Sequence, residues 1–137
     1  RANETYISPN MLAESIVLEL CRSGGLDRNI AFVKDALRAR RDALVEALGE
    51  QISEAEFVVP GGGYFLWLDL AEGTDTMALL AEAKAEGVAF VAGPDFMIDG
   101  GGNSLRLSFA SVPPERIPEG VARVSRALER VRAGSPA

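Results

Sequence analysis

The chain has 137 residues, 47% hydrophobic and 25% charged, with a net charge of −6, no histidine and one cysteine. That is one domain's worth of chain with material for a core, no apolar run near the roughly 20 residues of a membrane span, and a charge that argues against a nucleic-acid surface. Without histidine there is no Ser-His-Asp or Cys-His nucleophile system and no histidine-bound metal, and one cysteine makes neither an internal disulfide nor a thiolate zinc cluster.

Chemistry in this chain therefore needs a cofactor or residues outside these 137. The first residues, "RANETYISPN", carry neither an initiator Met nor the apolar core of a signal peptide, and are read as part of something longer.

In chain order, Ser8 and Pro9 form an N-cap and first-turn signal. They open a helix with Leu12, Ile16 and Leu20 on one stripe, stopped by Gly24 and Gly25. Cys21, in the same pattern, is expected as a small core residue. Asp27 caps a second, longer helix with Ile30, Val33, Leu37, Leu44 and Leu48 inward and Gly49 just past its end. Its basic residues Lys34, Arg38, Arg40 and Arg41 are interrupted by acids and read as a solvated face.

The period then changes from helical to alternating. "EFVV" at 56–59 is a strand, "PGGG" a turn, and "YFLWLDL" at 64–70 a second strand. Phe65 and Trp67 share one face of that strand and Tyr64, Leu66 and Leu68 the other, so covering layers are expected on both sides. Asp75 opens a third helix that Gly87 ends, and a buried strand follows at 88–92. After the loop "GPDFMIDGGGN" comes a strand at 104–110. Pro113, Pro114 and Glu115 start a last helix with Ile117, Val121, Val124, Leu128 and Val131 on its core stripe, and "AGSPA" reads as a frayed end. The order α-α-β-β-α-β-β-α predicts an α/β chain of the α+β kind: a small mixed sheet of about four strands with helices mainly on one face.

Neither glycine run is a phosphate cradle. Gly61 to Gly63 lack the strand–GxGxxG–helix context and the lysine of a phosphate loop, and Gly100 to Gly102 precede a strand. Both read as tight turns or places of close backbone approach. Arg106 is the more informative residue. In "SLRLSFA" the apolar Leu105, Leu107 and Phe109 take one face, and Arg106 stands on the other among Ser104, Ser108 and Ala110. It is either a solvated charge on an edge strand or a carboxylate receptor, because the guanidinium fork matches a carboxylate bidentately.

The ordered set "PGGGYFLWLDL", "GVAFVAGPDF" and "NSLRLSFASVPPERIPEGVARV" resembles the C-terminal part of fold-type I, pyridoxal-phosphate-dependent class I/II aminotransferases. It is most similar to the branch that contains 2-aminoadipate, branched-chain and aromatic aminotransferases. The resemblance implies that residues 1–26 end the large cofactor domain or an interdomain segment, and that 27–137 form the small domain. It implies that Arg106 binds the α-carboxylate of an L-amino acid or 2-oxo acid, with Gly62, Gly63 and Tyr64 lining the substrate side. The segment from Gly93 to Phe96 is taken as structural, closing the strand toward the active site.

The resemblance implies a cytoplasmic homodimer that transfers amino groups by a ping-pong mechanism with pyridoxal 5'-phosphate. It implies no metal, membrane or nucleic-acid partner for these residues. Lys34 and Lys84 do not lie in the Ser-rich, Gly-bounded loop where the family carries its Schiff-base lysine. Both read as surface charges, so the cofactor is expected to be held mainly upstream and these residues alone to be inactive. An alternative from another class is the aminotransferase-like sensor domain of a winged-helix transcription regulator. A third is a docking and dimer-supporting domain without turnover.

Overall fold

The structure, a computed structural model, describes residues 10–134. They fall into two compact units that meet in sequence between Ala36 and Leu37.

In the first unit, helix α1 spans Met11–Arg22. Ser8 and Pro9 lie outside the described residues, and the cap of α1 is Asn10, whose side chain accepts from the amides of Leu12 (3.0 Å) and Ala13 (3.3 Å). Gly24, at φ +67°, makes the turn that ends α1. Gly25 does not share in the stop, because helix α2, Gly25–Gln51, begins there. Asp27 therefore sits in the first turn of α2 rather than at its cap, where its charge still favours the helix dipole. The apolar stripe is present but stays exposed among the described residues: Leu12 is 70% exposed, and Ile16, Leu20, Ile30 and Val33 are also exposed. Cys21 is exposed with them, contrary to the core position expected, since no residue of α1 is buried.

The second unit holds the core. The C-terminal half of α2 buries Leu44, Ala47 and Leu48. It runs through Gly49 to Gln51, whose carbonyl accepts from the Ser125 hydroxyl at 3.0 Å. Strand β1 is Glu56–Phe57, β2 is Phe65–Asp69, helix α3 is Thr76–Ala85, β3 is Val91–Ala92 and β4 is Ser104–Ser108. A single 3₁₀ turn, Pro114–Arg116, leads into helix α4, Ile117–Gly134. Within "AGSPA", Ala133 and Gly134 still belong to α4, and the last three residues lie outside the described range.

The element order is the expected one, and so is the single four-stranded sheet, ordered β1-β2-β4-β3. Every pairing in it is antiparallel, where a mixed sheet was expected. The reason is that β4 inserts between β2 and β3, so neither parallel pair, β2 with β3 or β1 with β4, is adjacent. Leu66 and Leu68 of β2, Leu105 and Leu107 of β4, and Phe109 all face the helices and are buried. They meet Leu79 and Ala83 of α3 and Ile117, Val121, Val124 and Leu128 of α4 in one cluster. Each fully buried leucine contributes about 1.5–3 kcal/mol relative to exposure, so this one-sided layer is the main source of stability.

Two strands are shorter than the sequence pattern suggests. "EFVV" pairs only at Glu56 and Phe57, and Val58 is 86% exposed, because the chain turns away toward Pro60. Of 88–92 only Val91 and Ala92 pair with β4, although Phe90 is buried. The covering layer expected on the second face of β2 is also absent among the described residues of this unit, leaving Phe65 44% exposed. Arg40 and Arg41 are not merely solvated. Arg40 Nε donates to the Val112 carbonyl at 3.0 Å and Arg41 Nη1 to the Pro60 carbonyl at 3.2 Å, tying the segments before β2 and after β4 to α2.

Candidate substrate-binding site

Arg106 occupies the centre of the sheet. It pairs across to Trp67 on one side and to Val91 on the other. The edge-strand reading therefore fails, since β4 is flanked by β2 and β3. A charge in a central strand needs support, and here two aromatic rings give it. The guanidinium carbon lies 3.9 Å from the ring centroid of Phe65 and 4.2 Å from that of Phe96. Phe65 comes from β2, and Phe96 from the end of the 3₁₀ turn Gly93–Asp95 that follows β3. The rings thus reach the arginine from the two strands that flank its own, at distances where a cation and a π face attract.

The polar side of the guanidinium is unmet. Among the described residues Arg106 makes no ion pair, and its Nε is a buried donor without a hydrogen-bond partner. A buried donor left in this state costs stability unless something fills it. Around it, Trp67 packs edge-on against Phe96 with centroids 5.8 Å apart. The Trp67 indole N–H donates to Asp69 Oδ1 at 3.2 Å, and the Ser104 hydroxyl donates to the same oxygen at 2.5 Å. Asp69 thus accepts from Trp67 and Ser104, and no hydrogen bond joins it to Arg106.

The other predicted site residues are placed differently. Gly62 and Gly63 lie in an exposed turn, Gly63 at φ +86°, with open space where a side chain would be. Tyr64 is 53% exposed, precedes β2 and touches Phe65 edge-on at 6.4 Å, while its carbonyl accepts from the Phe109 amide at 3.0 Å. The structure brings Phe65, Trp67 and Phe96 to Arg106, whereas Gly62 and Gly63 stay at the end of the strand. Phe65 and Trp67 could have been found from period two, since they share the Arg106 face once the register is known. Phe96 carried no such signal, because a loop residue has no period.

An apolar groove of about 540 Å³ lies on the helix side of the sheet, lined by residues such as Leu48, Leu105, Phe109 and Val124. Glu119 and Arg123 at its rim pair with each other at 2.9 Å. It offers no unpaired polar group comparable to Arg106 Nε, so the candidate site is the opposite face. Among the described residues no cluster of three or more acids, cysteines or histidines is placed to hold a metal.

A family model described as aminotransferase class I and II matches residues 1–124. The chain belongs to that family. Among its relatives, the 2-aminoadipate transaminase of Thermus thermophilus is 39% identical over 121 residues, covering 87% of this chain and 30% of that protein. Aromatic-amino-acid aminotransferase 1 of Thermococcus litoralis is 35% identical over 122 residues, covering 88% and 29%.

The crystal structure of an alpha-aminoadipate aminotransferase from Thermus thermophilus, complexed with N-(5'-phosphopyridoxyl)-L-leucine, superposes with a TM-score of 0.78 at 36% identity. It covers 96% of this chain and 34% of that one. A helix-turn-helix transcriptional regulator of Rhodobacter capsulatus also matches, 32% identical over 130 residues that cover 93% and 27%. This chain thus spans about a third of the length of the proteins it matches.

The family implies pyridoxal phosphate. The residues described here do not form its covalent seat: Lys34 is exposed on α2 and Lys84 is exposed in the last turn of α3.

Proposed function

We propose that this chain is the substrate-binding part of a pyridoxal-phosphate-dependent aminotransferase that moves an amino group between an L-amino acid and a 2-oxo acid. The observation that carries the reading is Arg106: a guanidinium in a central strand, held by two rings and lacking an anionic partner among the described residues. Amino acid and 2-oxo acid share the α-carboxylate, so one fixed fork serves both half-reactions. Holding the carboxylate also orients the Cα–H bond for proton removal, which is where binding becomes rate. Arginine suits this task better than lysine because it fixes a plane rather than a point.

Gly62, Gly63 and Tyr64 belong to the proposal as the end wall of the site. The exposed turn leaves room for a substrate side chain there, and Tyr64 offers a ring beside Phe65. The cofactor, a second subunit of a cytoplasmic homodimer and the catalytic lysine are assigned to the remainder of such a protein, with residues 1–26 as the end of its cofactor domain and 27–137 as the small domain. In keeping with this, no helix among the described residues is long and apolar enough to cross a membrane. The chain on its own is then inactive. The regulator reading is less favoured, because the aminotransferases are the more similar relatives.

The test is Arg106→Ala in the complete enzyme. A charge-assisted bidentate contact in a closed site is worth roughly 2–5 kcal/mol, so kcat/KM for amino acids should fall roughly 30-fold to several-thousand-fold with cofactor content unchanged. A value within about threefold of the parent would remove the carboxylate role.

A further inference from the structure

The guanidinium of Arg106 is on a strand, but its aim is set by side chains from elsewhere. We infer that Phe96, with Phe65, is a positioning residue that holds the guanidinium fork of Arg106 in register for the substrate carboxylate. The inference rests on the carboxylate role proposed above and goes beyond it, since it assigns the recognition geometry to a residue in the turn after β3.

Three observations carry it. An arginine side chain has four rotatable bonds and, with no ion pair among the described residues to fix it, would sample many rotamers. Here the Phe65 and Phe96 rings lie 3.9 and 4.2 Å from its Cζ and leave only the fork's polar edge for a ligand. Phe96 is itself held, because Trp67 packs edge-on against it at 5.8 Å and the Trp67 indole is tethered to Asp69 at 3.2 Å. Finally, the turn that delivers Phe96 is fixed by backbone packing: a side-chain carbon on Gly93 would sit 2.3 Å from the Gly101 carbonyl oxygen. Neither ring is there to fill a core, since Phe65 and Phe96 remain 44% and 46% exposed. An exposed aromatic held against an unpaired cation is what a preorganised carboxylate fork requires.

The experiment uses the complete enzyme, the single variants Phe96→Leu, Phe65→Leu, Phe96→Tyr and Arg106→Ala, and the double variant Phe96→Leu/Arg106→Ala. The readouts are kcat/KM for an amino acid and the inhibition constant of an unreactive monocarboxylate. Loss of one cation–π partner should weaken both for either leucine variant, by roughly 3- to 30-fold. Phe96→Tyr, which keeps the ring, should stay within about twofold of the parent. Because Phe96 acts through the arginine, Phe96→Leu should have under about twofold further effect when Arg106 is already alanine.

Additive losses in that double variant, or a Phe96→Leu enzyme within about twofold of the parent while Arg106→Ala is crippled, would overturn the positioning role and leave the carboxylate reading standing. An Arg106→Ala enzyme that binds the monocarboxylate as well as the parent would remove the carboxylate reading first.

Discussion

Arg106 and Gly93 show how much of this site depends on single atoms. The sequence pattern places Arg106 on the polar face of its strand, and the structure agrees: Leu105 and Leu107 are buried behind it. What the pattern could not supply was the register. Only the pairing of Trp67 with Arg106 shows which aromatic residues surround it. Gly93 is the residue that places Phe96. A side-chain carbon there would approach the Gly101 carbonyl oxygen to 2.3 Å and the Ser104 Cβ to 2.8 Å. Backbone cannot swing aside as a flexible side chain can, so the turn must shift.

Gly93→Ala should therefore destabilise the chain by about 1–3 kcal/mol in urea unfolding, the usual cost of overpacking. Gly102, by contrast, has no atom within 4 Å of a built side-chain carbon. Gly102→Ala should stay within about 0.5 kcal/mol of the parent. Equal unfolding midpoints for the two variants would refute the steric account.

At the scale of elements, the helices were more legible than the strands. Asp75 caps α3 as the sequence indicates, accepting from the amides of Met77 (2.9 Å) and Ala78 (3.0 Å). Ile117, Val121, Val124 and Leu128 form the buried stripe of α4 as their spacing requires. Strand ends were illegible because pairing, not composition, decides them: Val58 and Val59 have strong strand propensity yet find no partner. Contacts between elements were illegible too, and the clearest is the ionic seam between α3 and α4.

Arg130 pairs with Glu82 at 3.0 Å and Glu86 at 2.9 Å, and Arg126 pairs with Glu86 at 3.3 Å. Hydrogen bonds from Arg126 and then Arg130 hold the Glu86 carboxyl below the usual carboxylate range. Since the folded value lies below the unfolded one, the stabilisation is complete above the unfolded value and is lost as pH falls through the folded value. These groups are solvent-facing, so the effect is small and weakens with salt. Glu86→Gln should lose less stability than the parent when urea unfolding is compared at about pH 7 and about pH 3. Parallel losses in the two proteins would show that the seam contributes nothing to the pH dependence.

For the molecule as a whole, the division at Ala36 separates two physically different kinds of sequence. All the buried hydrophobic residues among those described lie from Leu44 onward. The described residues up to Ala36 are mostly helical and rich in apolar side chains, but Met11, Leu12, Ile16 and Phe32 are left exposed. Hydrophobic periodicity revealed the helices in both stretches equally well. It could not reveal which stripe would find a partner within the chain, because an apolar face looks the same in sequence whether or not anything covers it.

The energetic consequence is direct. Burial of the leucines and valines between the sheet, the end of α2, α3 and α4 should account for nearly all the cooperative stability, and residues up to Ala36 for little of it. A chain cut to residues 37–137 keeps every described buried hydrophobic residue and the links from Ser125 and Gln51 that join α4 to the end of α2. It should unfold in urea in one transition, with a stability within about 1 kcal/mol of the longer chain. Far-ultraviolet circular dichroism should fall only by the helix removed. A shorter chain that melted gradually, without a cooperative step, would mean that the first unit contributes to the core in a way its exposed side chains do not suggest.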